Sequence, residues 1–78
     1  TNYEKGFIKA YFQAAQNSIV ISGENAHQVI SVTMYSLNGQ QLGTWSELQK
    51  DISGFSKGVV VLVIKTPTQI MRQKIRLF

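Results

Sequence analysis

The stretch Gly58-Val59-Val60-Val61-Leu62-Val63-Ile64-Lys65-Thr66-Pro67-Thr68-Gln69-Ile70-Met71-Arg72-Gln73-Lys74-Ile75-Arg76-Leu77-Phe78 decides the fold of this chain. The run Val59 to Ile64 is short, wholly apolar and mostly β-branched, which suits a pleated surface better than a helix. Thr66-Pro67-Thr68-Gln69 then supplies a turn, because proline pre-sets φ and has no N–H to give to a ladder. Beyond the turn the chain alternates: Met71, Ile75 and Leu77 fall on one face of a strand, Arg72, Lys74 and Arg76 on the other. The two runs predict an antiparallel hairpin. A strand apolar at every position needs cover on both faces, or cover on one while the other forms an interface.

Working back from this hairpin, strand signals recur at short intervals. They fall at Ser18 to Ser22, Val29 to Leu37, Gln41 to Ser46, a short piece around Asp51 to Ser53, Val59 to Thr66 and Ile70 to Leu77. Gly6 to Gln16 fits either helical or strand spacing, and the strand reading, with Ile8, Ala10, Phe12 and Ala14 on one face, is preferred. Asn38-Gly39 predicts a hairpin with a type I′ turn, since both residues tolerate the positive φ that turn requires. Gly54 and Gly58 flank Phe55-Ser56-Lys57 and predict a sharp reversal. Gly23 to Gln28 is polar and reads as a solvated loop. The expected fold is all-β, a small immunoglobulin-like β-sandwich of about seven mostly antiparallel strands. Residues 1–16 supply an N-terminal segment with the first strand, and 17–78 the rest of the same globular unit.

With 78 residues and 44% apolar content, the chain suffices for one core. It has no cysteine, so packing alone must hold it together. The formal charge of +4 is unevenly spread. Residues 1–51 carry Lys5, Lys9 and Lys50 against Glu4, Glu24, Glu47 and Asp51, whereas 52–78 carry Lys57, Lys65, Arg72, Lys74 and Arg76 with no acid. The basic half favours anionic partners. No apolar run approaches the roughly 20 residues of a membrane-spanning helix, so no transmembrane segment is expected. The start, Thr1 to Gly6, lacks the features of a secretory signal, and an export signal for a parent protein would lie upstream.

The residues that carry chemistry are sparse. The one histidine, His27, stands in a polar loop without a partnered nucleophile, and the four carboxylates form neither an acid–base pair nor an oxygen cage. Ser53-Gly54-Phe55-Ser56-Lys57-Gly58 lacks the ending of a phosphate loop and precedes a strand. No catalysis, metal or cofactor is expected. Three cations on one strand face can track phosphates, and Tyr11, Tyr35, Trp45 and Phe78 can stack on bases. The aromatics do not interleave with the cations, however, so a charged row protecting a sheet edge is the plainer reading and no nucleic-acid partner is expected. Trp45 reads as a core anchor in preference to a sugar platform.

In order and spacing, these signals resemble the C-terminal sorting domains of cargo proteins exported by the type IX secretion system of Bacteroidota. Val32-Thr33-Met34-Tyr35-Ser36-Leu37-Asn38-Gly39 is similar to that family's apolar-x-apolar-Tyr strand and turn glycine. Asp51-Ile52-Ser53-Gly54-Phe55-Ser56-Lys57-Gly58-Val59 resembles its Ile-Asp-Leu-Ser-x-Leu-x-x-Gly segment and the apolar strand after it. Gln73-Lys74-Ile75-Arg76-Leu77-Phe78 resembles its short Lys-containing last strand. The chain departs from the family at Ser36, Gln40 and Val60, and lacks its Pro-Asn-Pro opening before Ile19. The resemblance implies a non-catalytic signal that takes a parent protein through the translocon to the outer-membrane surface or beyond. A sortase-like cysteine peptidase then removes the label and joins the cargo to anionic lipopolysaccharide, although some members keep theirs. It assigns recognition by the translocon to Arg72, Lys74, Ile75, Arg76, Leu77 and Phe78, and structural roles to Tyr35, Asn38, Gly39, Gly54 and Gly58. The competing expectation is an immunoglobulin-like adhesion module that binds sugar or protein through Trp45 or the Gly23 to Gln28 loop. Exposed strand edges also offer two copies a route to pair or exchange strands.

Overall fold

The computed structural model describes residues 8–55 and 58–77. Phe78, the Ser56-Lys57 part of the predicted reversal and residues 1–7 lie outside them. The described chain forms seven strands: β1 (Lys9–Gln13), β2 (Ser18–Ser22), β3 (Ser31–Ser36), β4 (Gln41–Trp45), β5 (Gln49–Asp51), β6 (Gly58–Lys65) and β7 (Ile70–Leu77). Single 3₁₀ turns at Ala14–Gln16 and Ala26–Gln28 complete it. The strands build two antiparallel sheets, one in the order β1-β2-β5 and the other β4-β3-β6-β7. The described chain starts in the first sheet, enters the second at β3, returns for β5 and crosses back at β6, which is immunoglobulin-like connectivity. The all-β sandwich expected from the sequence is thus present.

Alternation along each strand places the core between the sheets. Ile8, Ala10, Ile19, Ile21 and Ile52 face it from one side, and Val32, Met34, Val60, Leu62, Ile64, Ile75 and Leu77 from the other. Because β6 is central in its sheet, Val32, Ile64 and Met71 lie in one cross-strand row and Met34, Leu62 and Gln73 in the next. Val32, Leu62 and Ile64 are fully buried. A single buried aliphatic side chain of this size contributes roughly 1.5–3 kcal/mol, so these rows pin the register of β3, β6 and β7.

Four local expectations are corrected. Asn38-Gly39 does turn the β3–β4 hairpin, but Asn38 does not take a positive φ; Gly39 does, at +94°. The Gly39 N–H donates to Ser36 O at 3.0 Å and the Ser36 N–H to Gln40 O at 2.8 Å, so the loop is Leu37-Asn38-Gly39, a turn closed by a left-handed glycine. The Asn38 carboxamide explains the preference, because its Oδ1 accepts from the Ser36 hydroxyl, whose oxygen in turn accepts from the Gln40 N–H. β5 lies upstream of its expected place: Gln49, Lys50 and Asp51 pair with Val20, Ile19 and Ser18. Beyond it Asp51 Oδ1 accepts from the Ser53 N–H at 2.9 Å, which ends the strand in a turn and holds the Asp51 carboxyl below its ordinary pKa. β3 begins at Ser31 instead of Val29, whose backbone N–H closes the 3₁₀ turn on Ala26 O. The Gly23–Gln28 loop is not wholly solvated, since Ala26 is buried.

The segment that fitted both helix and strand does some of each. It pairs with β2 as far as Gln13, then tightens into the 3₁₀ turn and passes through Asn17, whose φ of +53° asparagine tolerates.

Candidate interaction surface on the outer face of beta7

β7 lies at the edge of the four-stranded sheet, with β6 as its one strand neighbour among the described residues. The turn that launches it is built on Thr66: the Thr66 N–H donates to Gln69 O at 2.9 Å, and Thr66 Oγ1 accepts from the Gln69 N–H at 3.2 Å. Thr66 is buried and Pro67 occupies the second turn position, so the entry of β7 is fixed. At the opposite end of the hairpin Gly58 opens β6 at φ +137°, a conformation that residues with a Cβ rarely adopt. Gly54 has no positive φ, and a side chain there would meet open space.

Hydrogen-bond directions along β6 identify which backbone groups of β7 are open. Lys65 O accepts from Ile30 N–H on the β3 side, while the Thr66 N–H points the other way, to Gln69. Strand alternation then turns the backbone groups of Ile64, Leu62, Val60 and Gly58 toward β7. Their partners are Met71, Gln73, Ile75 and Leu77. The N–H and C=O groups of Arg72, Lys74 and Arg76 therefore face the open edge, while their exposed side chains stand on the outer face.

That outer face forms a graded surface. In register across β3, β6 and β7 lie Tyr35, Val61 and Lys74 in one row, then Thr33, Val63 and Arg72, then Ser31, Lys65 and Ile70. Val61, Val63 and Tyr35 are half-buried, and with the exposed Leu37 and Ile70 and with Arg72 they line an open groove of about 510 Å³. None of the four strands carries an acidic residue, whereas Lys65, Arg72, Lys74 and Arg76 all project from this side. The all-apolar run thus has its inner half in the core and its outer half on a partly open face.

Gln73, on the inward side of β7, was not singled out by the sequence. Its carboxamide Oε1 accepts from the Ala10 N–H at 3.1 Å and its Nε2 donates to Ala10 O at 2.5 Å. Ala10 belongs to β1, the edge of the other sheet, so one side chain ties the two edges together and satisfies a backbone N–H and C=O that have no strand partner on that side among the described residues. A glutamine at an inward position, between Met71 and Ile75, is the sequence signal for such a role.

The sequence-predicted residues thus divide by position. Arg72, Lys74 and Arg76 come together on the outer face, Tyr35 stands two strands away on that face, and Asn38 and Gly39 close the hairpin at its end. Ile75 and Leu77 are buried and hold the strand in place, and Phe78 is outside the described residues. Trp45 is buried, so its ring has no face free for a sugar, and its Nε1 has no hydrogen-bond partner among the described residues. His27 is exposed in its 3₁₀ turn. Among the described residues no three His, Cys, Asp or Glu side chains converge, and no helix is long and apolar enough to cross a membrane. No protein-family model, curated protein or solved structure matches the chain.

Proposed function

We propose that this domain is a non-catalytic sorting signal, similar to the C-terminal sorting domains of type IX cargo proteins, that sends a parent protein through the outer-membrane translocon to the cell surface. The observation that carries this reading is β7: an edge strand of eight residues with a basic row on its outer face and its open backbone at the same three residues. A translocon component reads that strand, while Tyr35, Asn38, Gly39 and Gly58 serve the turns and rows that hold it in register. Removal by a sortase-like cysteine peptidase and attachment of the cargo to anionic lipopolysaccharide follow from the same resemblance.

The test is export of a reporter fused upstream of this chain in a type IX-competent bacterium, with and without Lys74 to Phe78, and with Arg72, Lys74 and Arg76 all replaced by Glu. Loss of export in both variants, with an unchanged melting midpoint for the charge-reversed domain, is the expected result. Normal export of both refutes it. The second reading, a protein-binding module of a secreted protein, is favoured by the groove beside Tyr35 and Ile70. It predicts that Ile70→Asp abolishes partner binding while export stays independent of Lys74 to Phe78.

A further inference from the structure

We propose that β7 accepts an added β-strand from a partner polypeptide, and that the partner is an acidic segment with carboxylates at every second residue. The inference names the partner chemistry at the surface on which the sorting reading relies, and it rests on that reading for its biological purpose.

Among the four sheet edges, β7 is the one suited to take another strand. At the β1 edge the Ala10 peptide unit is already bonded to Gln73. β4 is irregular, since Met34 pairs with Gly43 and Tyr35 with Gln41, leaving Leu42 as an extra residue that interrupts the ladder. β5 has three residues. β7 runs eight residues in unbroken register with β6 and turns the N–H and C=O of Arg72, Lys74 and Arg76 to the open side. A paired strand satisfies all six of these groups; a lipid surface or a polyphosphate offers no matching row of alternating donors and acceptors.

Charge then selects the sequence of the added strand. Side chains two residues apart on a strand recur about every 6.7 Å, so Arg72, Lys74 and Arg76 present three cations at that spacing on one face. Carboxylates at alternate positions of the partner meet them directly across the ladder. The same rule disfavours a second copy of this chain: pairing β7 antiparallel to β7 about Lys74 sets Arg72 opposite Arg76 and Lys74 opposite Lys74, and like charges directly opposite oppose pairing. The three cations are exposed, so each ion pair is solvent-screened, and the ladder bonds, with the half-buried Val61 and Val63 beside the row, contribute alongside it.

The test uses the 78-residue chain and a blocked peptide of alternating Glu and Val. Fluorescence anisotropy reads affinity, and amide hydrogen exchange by NMR reads the edge. The expected result is saturable binding, with new protection at the Arg72, Lys74 and Arg76 amides and none at Met71, Gln73 and Ile75, whose amides are already bonded to β6. Replacing Arg72, Lys74 and Arg76 together by Glu lowers affinity at least roughly tenfold. A peptide of the same composition N-methylated on the residues that pair with β7 loses binding, because it keeps the charge but not the ladder donors. Binding of the methylated peptide as tight as of the parent peptide overturns the proposal, as does binding without protection of the three amides. So does binding to anionic vesicles in place of the peptide, or protection of the same amides by self-association. If the peptide test fails while export still needs Lys74 to Phe78, the inference falls and the sorting reading stands. If it succeeds while export ignores those residues, the sorting reading falls alone.

Discussion

Replacing Gln73 by Met keeps the length and much of the shape of the side chain but removes both of its bonds to Ala10. Each lost hydrogen bond costs about 0.5–1.5 kcal/mol, so the variant should lose about 1–3 kcal/mol. A domain of this size shifts by about 4–8 °C per kcal/mol, which puts the fall in melting midpoint at roughly 4–24 °C. Against a total stability on the order of 5–15 kcal/mol this is a large share for one surface-proximal amide. The loss should also be localised. Ala10 pairs with Ile21, whose own N–H is directed to Leu48 O on the far side, so the Ala10 N–H and C=O point to the open edge and have no strand partner among the described residues once Gln73 is gone. Hydrogen exchange at the Ala10 amide should therefore accelerate far more than exchange at Leu62. The uncovered edge should raise concentration-dependent self-association. Thermal melting, amide exchange and sedimentation on the same sample test all three. An unchanged midpoint with unchanged exchange at Ala10 would refute the claim that this amide closes the sandwich.

Gly58→Ala forces a Cβ into a backbone at φ +137° and should cost on the order of 1–3 kcal/mol, whereas Gly54→Ala, with no positive φ and open space around it, should leave the unfolding free energy from urea titration within about 0.5 kcal/mol. Equal effects of the two would show that the backbone strain assigned to Gly58 is absent. Asp51→Asn keeps an oxygen for the Ser53 N–H but removes the charge. In the folded chain the Asp51 carboxyl is lowered from its ordinary value by the backbone and side-chain hydrogen bonds from Ser53, with a smaller contribution from Lys50. A depressed folded pKa stabilises above the unfolded value and ceases to do so as pH falls through the folded one. The wild-type chain should thus be more stable than Asp51→Asn at neutral pH, with the gap closing below about pH 4. A gap that stays constant or widens in acid contradicts it.

Much of this fold is legible in the sequence because each strand that decides it has an unambiguous signal. Pro67 and the alternation of Met71, Ile75 and Leu77 against Arg72, Lys74 and Arg76 specify the β6–β7 hairpin, and its limits fall close to those the pattern implies. β5 is less legible because an edge strand of Gln49-Lys50-Asp51 buries almost nothing and so carries no apolar period; the bonds from Ile21 N–H to Leu48 O and from Ile52 N–H to Asn17 O place it. The turn at Asn38 is misread from composition alone, since the same two residues suit either hairpin and the hydroxyl of Ser36 tips the choice. For the candidate surface, the basic row can be read directly. The groove requires knowing that Tyr35, Val61, Val63 and Arg72 come side by side across β3, β6 and β7, and Gln73 requires knowing that β1 lies beside β7.

Edge protection and partner recognition, which compete as explanations of Arg72, Lys74 and Arg76, are one physical effect seen from two sides. A row of cations on an open edge raises the cost of pairing with any strand that is itself basic or bears a neutral apolar face, and lowers it for an acidic one. The two roles separate only in how far the surroundings are built for a partner. A purely protective edge has no need of length or regular register, and short, bulged or capped strands do that work at β5, β4 and β1 of this molecule. β7 instead keeps eight residues in unbroken register, opens its backbone at the three charged residues, and sets an apolar groove beside them. That contrast within one small sandwich is the physical argument for treating β7 as a surface that selects a partner.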